Sequence, residues 1–224
     1  MEEKQMPVMD DDTKKKVLES MEVMDSPVHI IMFEDKEGCQ LCEETKKIVE
    51  ELSDLTGKLT HDVFEINKEK DLAEKYGVDK TPALLIMKGT KEDHEYTGVR
   101  FFGIPAGYEF TSLLDSVLTT SRGETSISEE TKEYLDGLEK DIHMEVFVTP
   151  QCPYCPRSVV LAHHLALVSG GKITADMVEA SEFPEMAQKY QVMGVPRTVI
   201  NGKHHQEGAA PEKMILDLIK KAAS

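Results

Sequence analysis

The chain has 224 residues, of which 42 are acidic and 26 are basic, so its formal net charge at pH 7 is −16. This surplus of negative charge repels nucleic acid and anionic membrane surfaces, and we expect neither as a partner. No apolar run approaches the roughly 20 residues that span a bilayer, and the segment MEEKQMPVMDDDTKKK lacks the apolar core of a secretory signal. We therefore predict a cytoplasmic protein, long enough for two domains of ordinary size.

The first half of the chain predicts an α/β unit that begins with a helix. Apolar residues recur at helical spacing from Asp12 to Met24, and the run VHIIMF, from Val28, is typical of a strand buried on both faces. The elements that follow are a helix through EETKKIVEELSDL, a strand near DVFEI, a short helix through LAEKYG, strands at ALLIM and EYTGVRFF, and a helix from Glu109 to Leu118. After the first helix the order is β, α, β, α, β, β, α.

The segment TTSRGETSIS, residues 119–128, has no strong apolar period and predicts a junction between two domains, 1–120 and 121–224. A helix through SEETKEYLDGL follows, with Ser126 or Ser128 as its N-cap. The earlier order then returns as a strand at MEVFV, a helix through VVLAHHLALV, a strand near DMVEA, a helix through PEMAQKY, strands at TVING and near HHQEG, and a last helix from Pro211.

The two halves are related as copies. AEKYGVDKTP at 73–82 and AQKYQVMGVP at 187–196 share Ala, Lys, Tyr, Val and Pro at a fixed offset of 114. The same offset relates Glu65 to Glu179, whereas the cysteine pairs are 113 residues apart. This period is too long for a solenoid and indicates a duplicated domain.

The four cysteines form two CxxC pairs, Cys39 with Cys42 and Cys152 with Cys155. Structural disulfides are rare in reducing cytosol, where paired thiols are more often metal ligands or redox catalysts. Each pair lies where a predicted buried strand turns into a helix, and the free amides and positive dipole of a helix start stabilise a thiolate. We therefore expect Cys39 and Cys152 to attack a substrate disulfide, and Cys42 and Cys155 to resolve the mixed disulfide.

A proline follows each CxxC at a similar distance. Pro82 and Pro196 lie 43 and 44 residues after the first cysteine of their half, and each precedes an apolar strand. A proline at the start of an edge strand is the ordinary interpretation. Because both prolines are matched to a CxxC, we favour cis peptide bonds after Thr81 and Val195. Such turns would expose backbone groups with which an extended substrate can pair.

Together these features resemble the thioredoxin pattern. The doubled form, with CQLC in one half, VFVTPQCPYCP and DMVEASEFPE in the other and RFFGIPAGYEF closing the first, resembles the two-domain, glutaredoxin-like protein disulfide oxidoreductases of archaea and thermophilic bacteria over essentially the whole chain. The resemblance implies an α/β protein of two tandem thioredoxin-like folds, each a mixed central sheet flanked by helices. It implies dithiol–disulfide exchange on protein substrates, a relationship to protein disulfide isomerases, no bound cofactor, and reducing equivalents from NADPH through a thioredoxin reductase.

The chain departs from the wider superfamily at one position. Thioredoxins place a buried aspartate six residues before the first cysteine, where this sequence has Phe33 and Val146. Glu65 and Glu179 are candidates for that proton-transfer role if they face the sulfurs. Paired acids near strand ends are otherwise solvated.

The residues that follow the two CxxC pairs differ in charge. Arg157 lies in the first turn after the second pair and is a candidate to stabilise the Cys152 thiolate, or else an ordinary exposed helix arginine. Glu43 and Glu44 follow Cys42 and oppose thiolate formation there. We expect the second site to be more acidic and more reactive.

Three other classes of protein share some of these features. CPYC also suits a glutathione-dependent glutaredoxin, but EGAAPEK lacks the glycine pair and acid that usually hold glutathione, which favours protein substrates. Four thiolates can also coordinate a tetrahedral zinc ion. In zinc ribbons, however, roughly 15–20 residues separate the two CxxC pairs, whereas 109 residues separate Cys42 from Cys152 here. The neighbouring histidines 163–164 and 204–205 point in different directions, so we expect no metal site. A non-catalytic interaction module would not need both cysteine pairs and both prolines.

Overall fold

The computed structural model describes residues 8–224. Residues 1–7, part of the segment in which no secretory signal is expected, lie outside the described residues. In chain order the elements are α1 (Asp11–Met21), β1 (Val28–Glu34), α2 (Cys42–Ser53), β2 (Leu59–Glu65), α3 (Lys70–Lys75), β3 (Ala83–Gly89), β4 (His94–Phe102), α4 (Glu109–Arg122), α5 (Glu129–Asp136), β5 (Ile142–Val148), α6 (Cys155–Val168), β6 (Ile173–Glu179), α7 (Pro184–Lys189), β7 (Arg197–Ile200), β8 (His204–Glu207) and α8 (Glu212–Ala223). The repeated order of elements predicted from the sequence is confirmed.

The strands form one eight-stranded mixed sheet in the order β2-β1-β3-β4-β6-β5-β7-β8. In each half, the strand that leads to the CxxC pairs parallel with one neighbour and antiparallel with the other. The mixed central sheets expected from the thioredoxin resemblance are therefore present. They join through a parallel pairing of β4 with β6, Val99–Phe102 against Ala175–Val178. This union places the end of β6 beside the end of β4.

Helices cover both faces of the sheet. One face carries a continuous apolar core from both halves, into which α1, α2, α4, α5, α6 and α8 pack. Two smaller clusters on the opposite face lie under α3 and α7. Burial of each large apolar side chain contributes about 1.5–3 kcal/mol to stability. The continuous core therefore holds the two halves together mainly through apolar contacts. Cys42 and Cys155 both belong to this core.

A buried ionic network also fixes the junction. Nε and Nη2 of Arg100 donate to Oδ1 and Oδ2 of Asp176 at 2.7 and 2.9 Å, and Nη1 of Arg100 donates to the carbonyl oxygen of Tyr76 at 2.8 Å. Nε2 of His143 lies 2.6 Å from Oδ2 of Asp176. Although burial opposes ionisation of Asp176, His143 and Arg100 hold the pKa of this carboxyl below its usual value. The network links β4 of the first half to β5 and β6 of the second.

The predicted junction segment differs from the structure in its first residues. α4 continues beyond Leu118 to Arg122 and ends at Gly123, which has the left-handed φ of 70°. The small polar residues of its last turns look like a linker in the sequence, but Thr119, Thr120 and Ser121 are buried. Thr119 bonds to His164 and Ser121 to Ser26. The division into 1–120 and 121–224 stays a prediction.

The N-cap of α5 is Ser128, whose side chain accepts from the amide of Thr131, so one of the two proposed caps is confirmed. Ser126 bonds to His164 instead. Within residues 8–224, every helix falls short of the length and apolar character that a bilayer crossing requires.

Candidate active sites

Each CxxC pair forms a disulfide between a strand and a helix. The Cα atoms are 5.5 Å apart both in Cys39–Cys42 and in Cys152–Cys155. The second cysteine of each pair is the first residue of its helix, α2 or α6. The first turn of a helix has amides without intrahelical acceptors, and these favour negative charge nearby. Both pairs thus lie where a helix start favours negative charge on a nearby sulfur.

The two cysteines of a pair differ in exposure. Cys39 is partly exposed whereas Cys42 is buried, and Cys152 is 8% exposed whereas Cys155 is fully buried. A sulfur at the surface can meet the disulfide of a folded protein, whereas a buried sulfur can reach only its own partner. The first cysteine of each pair is thus the more accessible one, and the nucleophilic and resolving roles stay predictions.

The two predicted cis peptide bonds, Thr81–Pro82 and Val195–Pro196, are confirmed. Sγ of Cys152 lies 3.8 Å from the carbonyl oxygen of Val195. Thr81 and Cys39 line one cleft. The fold therefore brings each predicted substrate-binding segment to the first cysteine of its own half.

The surroundings of the second site are apolar and exposed. The three most exposed large apolar side chains of residues 8–224 are Met193, Tyr154 and Tyr108, at 91%, 71% and 50%. Met193 lies two residues before Val195, and Tyr154 lies inside CPYC. The amide of Tyr108 donates to the carbonyl oxygen of Pro150 at 3.0 Å. We call these three side chains the apolar rim.

The first site has a charged rim in the equivalent places. The repeat relates Met193 to Asp79, whose side chain is 75% exposed. The first turn of α2 contains Glu43 and Glu44, whereas the first turn of α6 contains no acid. Arg157 is exposed on α6. The two sites are thus unequal in charge, in the direction that the sequence predicts.

The repeat-related glutamates occupy different environments. Glu65 accepts from Nζ of Lys68 at 2.7 Å near the edge of the sheet. Glu179 is 3% exposed, and it lines the same cleft as Cys39 of the other half. This cross-half placement follows from the pairing of β6 with β4, which the repeat alone does not reveal.

Glu109, the first residue of α4, is a buried acid that the sequence did not single out as a site residue. It is 1% exposed, and burial raises the pKa of its carboxyl to about 7, although Ser112 Oγ donates to Oε2 at 2.7 Å. Oε1 has no hydrogen-bond partner among the described residues. An acid in the first turn of a helix normally faces solvent and is stabilised by the helix dipole. The position of Glu109 in the sequence therefore does not predict that it is buried.

Two contacts show how α4 runs relative to α6, the helix that begins with the resolving cysteine. The residue before it, Tyr108, bonds to Pro150, which precedes the second CxxC. Further along α4, seven residues after Glu109, Oγ of Ser116 lies 2.9 Å from Nδ1 of His163 in α6. α4 and α6 therefore run side by side in the same direction, and Glu109 lies at the level of Cys155, where α6 begins.

The adjacent histidines of α6 are bonded to α4. His163 contacts Ser116, and Nε2 of His164 lies 2.9 Å from Oδ2 of Asp115. Burial lowers the pKa of His163 to about 4, so this ring is neutral at pH 7. In the part of the chain that the structure describes, no group of three or more His, Cys, Asp or Glu side chains is arranged to hold a metal ion.

Known proteins resemble this chain in sequence and in fold. The Thioredoxin domain family matches residues 142–220. A solved structure of a protein disulfide oxidoreductase from Aeropyrum pernix K1 is 32% identical, with a TM-score of 0.88 over 96% of this chain and 95% of that chain. The similarity thus covers both halves of the chain.

A second group of relatives carries a different name. The F subunit of alkyl hydroperoxide reductase in Staphylococcus aureus strain Mu50 is 28% identical over 213 residues, which are 95% of this chain and 37% of the relative. The chain therefore spans little more than a third of that curated relative. A solved structure of the Enterococcus faecalis counterpart, a C503A mutant, has a TM-score of 0.85 at 24% identity, covers 93% of this chain and 98% of that one, and shares its fold.

Proposed function

The chain belongs to the family of protein disulfide oxidoreductases, and we propose that it exchanges thiols and disulfides on protein substrates through Cys39–Cys42 and Cys152–Cys155. The observation that carries this proposal is the duplicated site. Each half holds a disulfide at a strand–helix junction with a cis-proline segment beside its first cysteine. Two copies of the whole arrangement serve no purpose in a simple binding module.

In the proposed reaction the reduced enzyme attacks first with Cys39 or Cys152. The thiolate displaces one sulfur of the substrate disulfide and forms a mixed disulfide, and the displaced sulfur leaves as a thiolate that takes up a proton. Cys42 or Cys155 then loses its proton and attacks the sulfur of the first cysteine. The second substrate thiol is released, and the enzyme holds a disulfide. Two electrons pass from enzyme to substrate, and the reverse sequence oxidises a substrate dithiol.

Proton transfer at the second site is assigned to Glu109. Cys155 is fully buried, so its proton needs an acceptor inside the protein. A carboxyl with a pKa of about 7 exchanges protons readily at neutral pH. The unpartnered Oε1 is free to accept that proton. Arg157 is assigned a weaker role, because an exposed guanidinium beside a helix start adds only a screened positive field.

The apolar rim supports protein substrates rather than small thiols. Exposed Met and Tyr side chains are typical of surfaces that bind other proteins, and Met adapts to varied partners. Thr81–Pro82 and Val195–Pro196 would supply backbone groups with which an extended segment of the substrate pairs.

We also propose that the electrons come from NADPH through a thioredoxin reductase-like partner, since the cysteine pairs must be reduced again after each turnover. A cytoplasmic location is part of this proposal, because reversible CxxC pairs suit a reducing compartment. Mixing the protein with NADPH and a thioredoxin reductase tests the donor. NADPH oxidation that depends on insulin is expected, and its absence with several such reductases would exclude this route.

The reaction itself is tested by reduction of insulin disulfides with dithiol supplied. The wild-type chain should exceed dithiol alone, and the doubly substituted chain, Cys39→Ser with Cys152→Ser, should not. A wild-type rate equal to that of dithiol alone would refute the proposed function.

A further inference from the structure

The cleft that contains Cys39 is built by both halves of the chain. Its volume is about 580 Å³. One wall carries residues 38–41 and Thr81 of the first half, and the other carries Gln151, Glu179 and Glu182 of the second half. We call this space the Cys39 cleft. Anything that reaches Cys39 through it also meets the two glutamates.

The two glutamates are fixed in place by main-chain donors. Oε2 of Glu179 accepts from the amide of Glu182 at 2.6 Å, and Oε1 of Glu182 accepts from the amide of Ile104 at 2.6 Å. At Gly103 an added Cβ would lie 2.6 Å from Cβ of Glu179, so only glycine permits this close approach of the halves. Tertiary packing therefore holds both carboxyls at the cleft.

The pair has no cation. Among residues 8–224, no lysine, arginine or histidine forms an ion pair with Glu179 or Glu182. Glu179 is 3% exposed, and its Oε1 has no partner in the described chain. Burial, together with the charge of Glu179, raises the pKa of Glu182. Buried acids are normally paired, so this cleft offers a ligand carboxyl groups that have no cationic partner in the described chain.

The rest of the Cys39 cleft combines polar residues, among them Gln40, Gln151 and Ser181, with an apolar part. Leu41, Ile104, Pro150 and Pro184 contribute to its lining. A long aliphatic stem with a cationic head is the side chain that matches apolar walls and an acidic end. Lysine and arginine have this form, and the multiple N–H donors of either head can satisfy more than one carboxylate oxygen.

We propose that the Cys39 cleft binds a lysine or arginine side chain of the substrate protein, close to the disulfide that Cys39 attacks. The inference rests on the proposed function and names the substrate class of its first site. The second site, with its apolar rim, has a different preference. One chain thus carries a site for disulfides near basic residues and a site for disulfides in apolar segments.

The test isolates the first site in the full-length chain with Cys152→Ser and Cys155→Ser. Two disulfide-linked peptides are compared that differ only in arginine or citrulline two residues from a cysteine. One charge-assisted contact predicts about a tenfold higher kcat/KM for the arginine peptide, which equals about 1.4 kcal/mol. Glu179→Gln and Glu182→Gln should each bring the ratio close to one, because the amide oxygen keeps the main-chain hydrogen bond and only the charge is lost.

The control separates this contact from the general negative field of the chain. Glu185→Gln removes one exposed charge from α7, outside the cleft lining, and should leave the ratio near ten. A ratio of one in the parent chain would overturn the inference, as would a ratio that survives Glu179→Gln and Glu182→Gln. Near-ultraviolet circular dichroism verifies that each variant is folded.

Binding without reaction decides the inference independently of catalysis. The same two peptides with serine in place of cysteine are titrated calorimetrically into the wild-type chain. About tenfold tighter binding of the arginine peptide is expected, and equal affinities would refute the inference. Failure of the proposed function would be seen separately, as insulin reduction no faster than with dithiol alone.

Discussion

The buried carboxyl of Glu109 makes the stability of this protein depend on pH in a direction opposite to that of most glutamates. In the unfolded chain the pKa of this carboxyl has its ordinary value of 4.5, and burial raises it to about 7 in the folded protein. Between these values the folded state binds more protons than the unfolded state does. Stability therefore falls as pH rises through this window.

The magnitude follows from the shift. The difference between a pKa of 4.5 in the unfolded chain and about 7 in the folded protein corresponds to about 3 kcal/mol. Glu109→Gln removes the ionisation while the amide oxygen can still accept from Ser112. Between pH 5 and pH 8 the ionisation of Glu109 should lower the free energy of unfolding of the wild-type chain by about 3 kcal/mol. The variant should not show this decrease.

The assay is urea unfolding of the oxidised protein at several pH values, with both disulfides intact. The difference between variant and wild type isolates Glu109 from the other titrating groups. Glu130→Gln, on the exposed face of α5, serves as the matched control and should follow the wild type. If Glu109→Gln and wild type lose stability in parallel between pH 5 and pH 8, the inference that burial raises the pKa of this carboxyl is wrong.

Three further predictions concern the sites and the junction. Cys152→Ser should remove most insulin-reducing turnover and Cys39→Ser a smaller part, because acids in the first turn of α2 oppose the Cys39 thiolate; equal losses would contradict the inequality of the sites. Arg100→Met should lower the free energy of unfolding by about 3–5 kcal/mol, since it removes the guanidinium that pairs with the buried Asp176. Urea unfolding measures this change, and a decrease below about 1 kcal/mol would show that the buried ionic network contributes little to stability. Met193→Asp should raise KM for insulin about fivefold through loss of about 1 kcal/mol of apolar contact, and an unchanged KM would exclude the apolar rim from substrate binding.

The sequence itself determined the elements that depend on local patterns. The buried run at Val28 and the cap at Ser128 are set by residues close to each other in the chain, and the structure has both where they are predicted. The cis bonds before Pro82 and Pro196 are predicted because each half matches a proline to its CxxC at nearly the same distance. Local chemistry and internal repetition carry this information without knowledge of the fold.

Only the tertiary structure decided how the halves meet. The pairing of β4 with β6 joins two sheets into one, and no local pattern specifies which edge strands will pair. The same union buries Glu179 beside the cysteine of the other half, although the repeat makes it equivalent to the lysine-paired Glu65. Glu109 is likewise an ordinary first-turn acid until α6 packs beside it. Burial is a property of distant segments brought together, and at Glu109 it raises the pKa of an otherwise ordinary carboxyl to about 7.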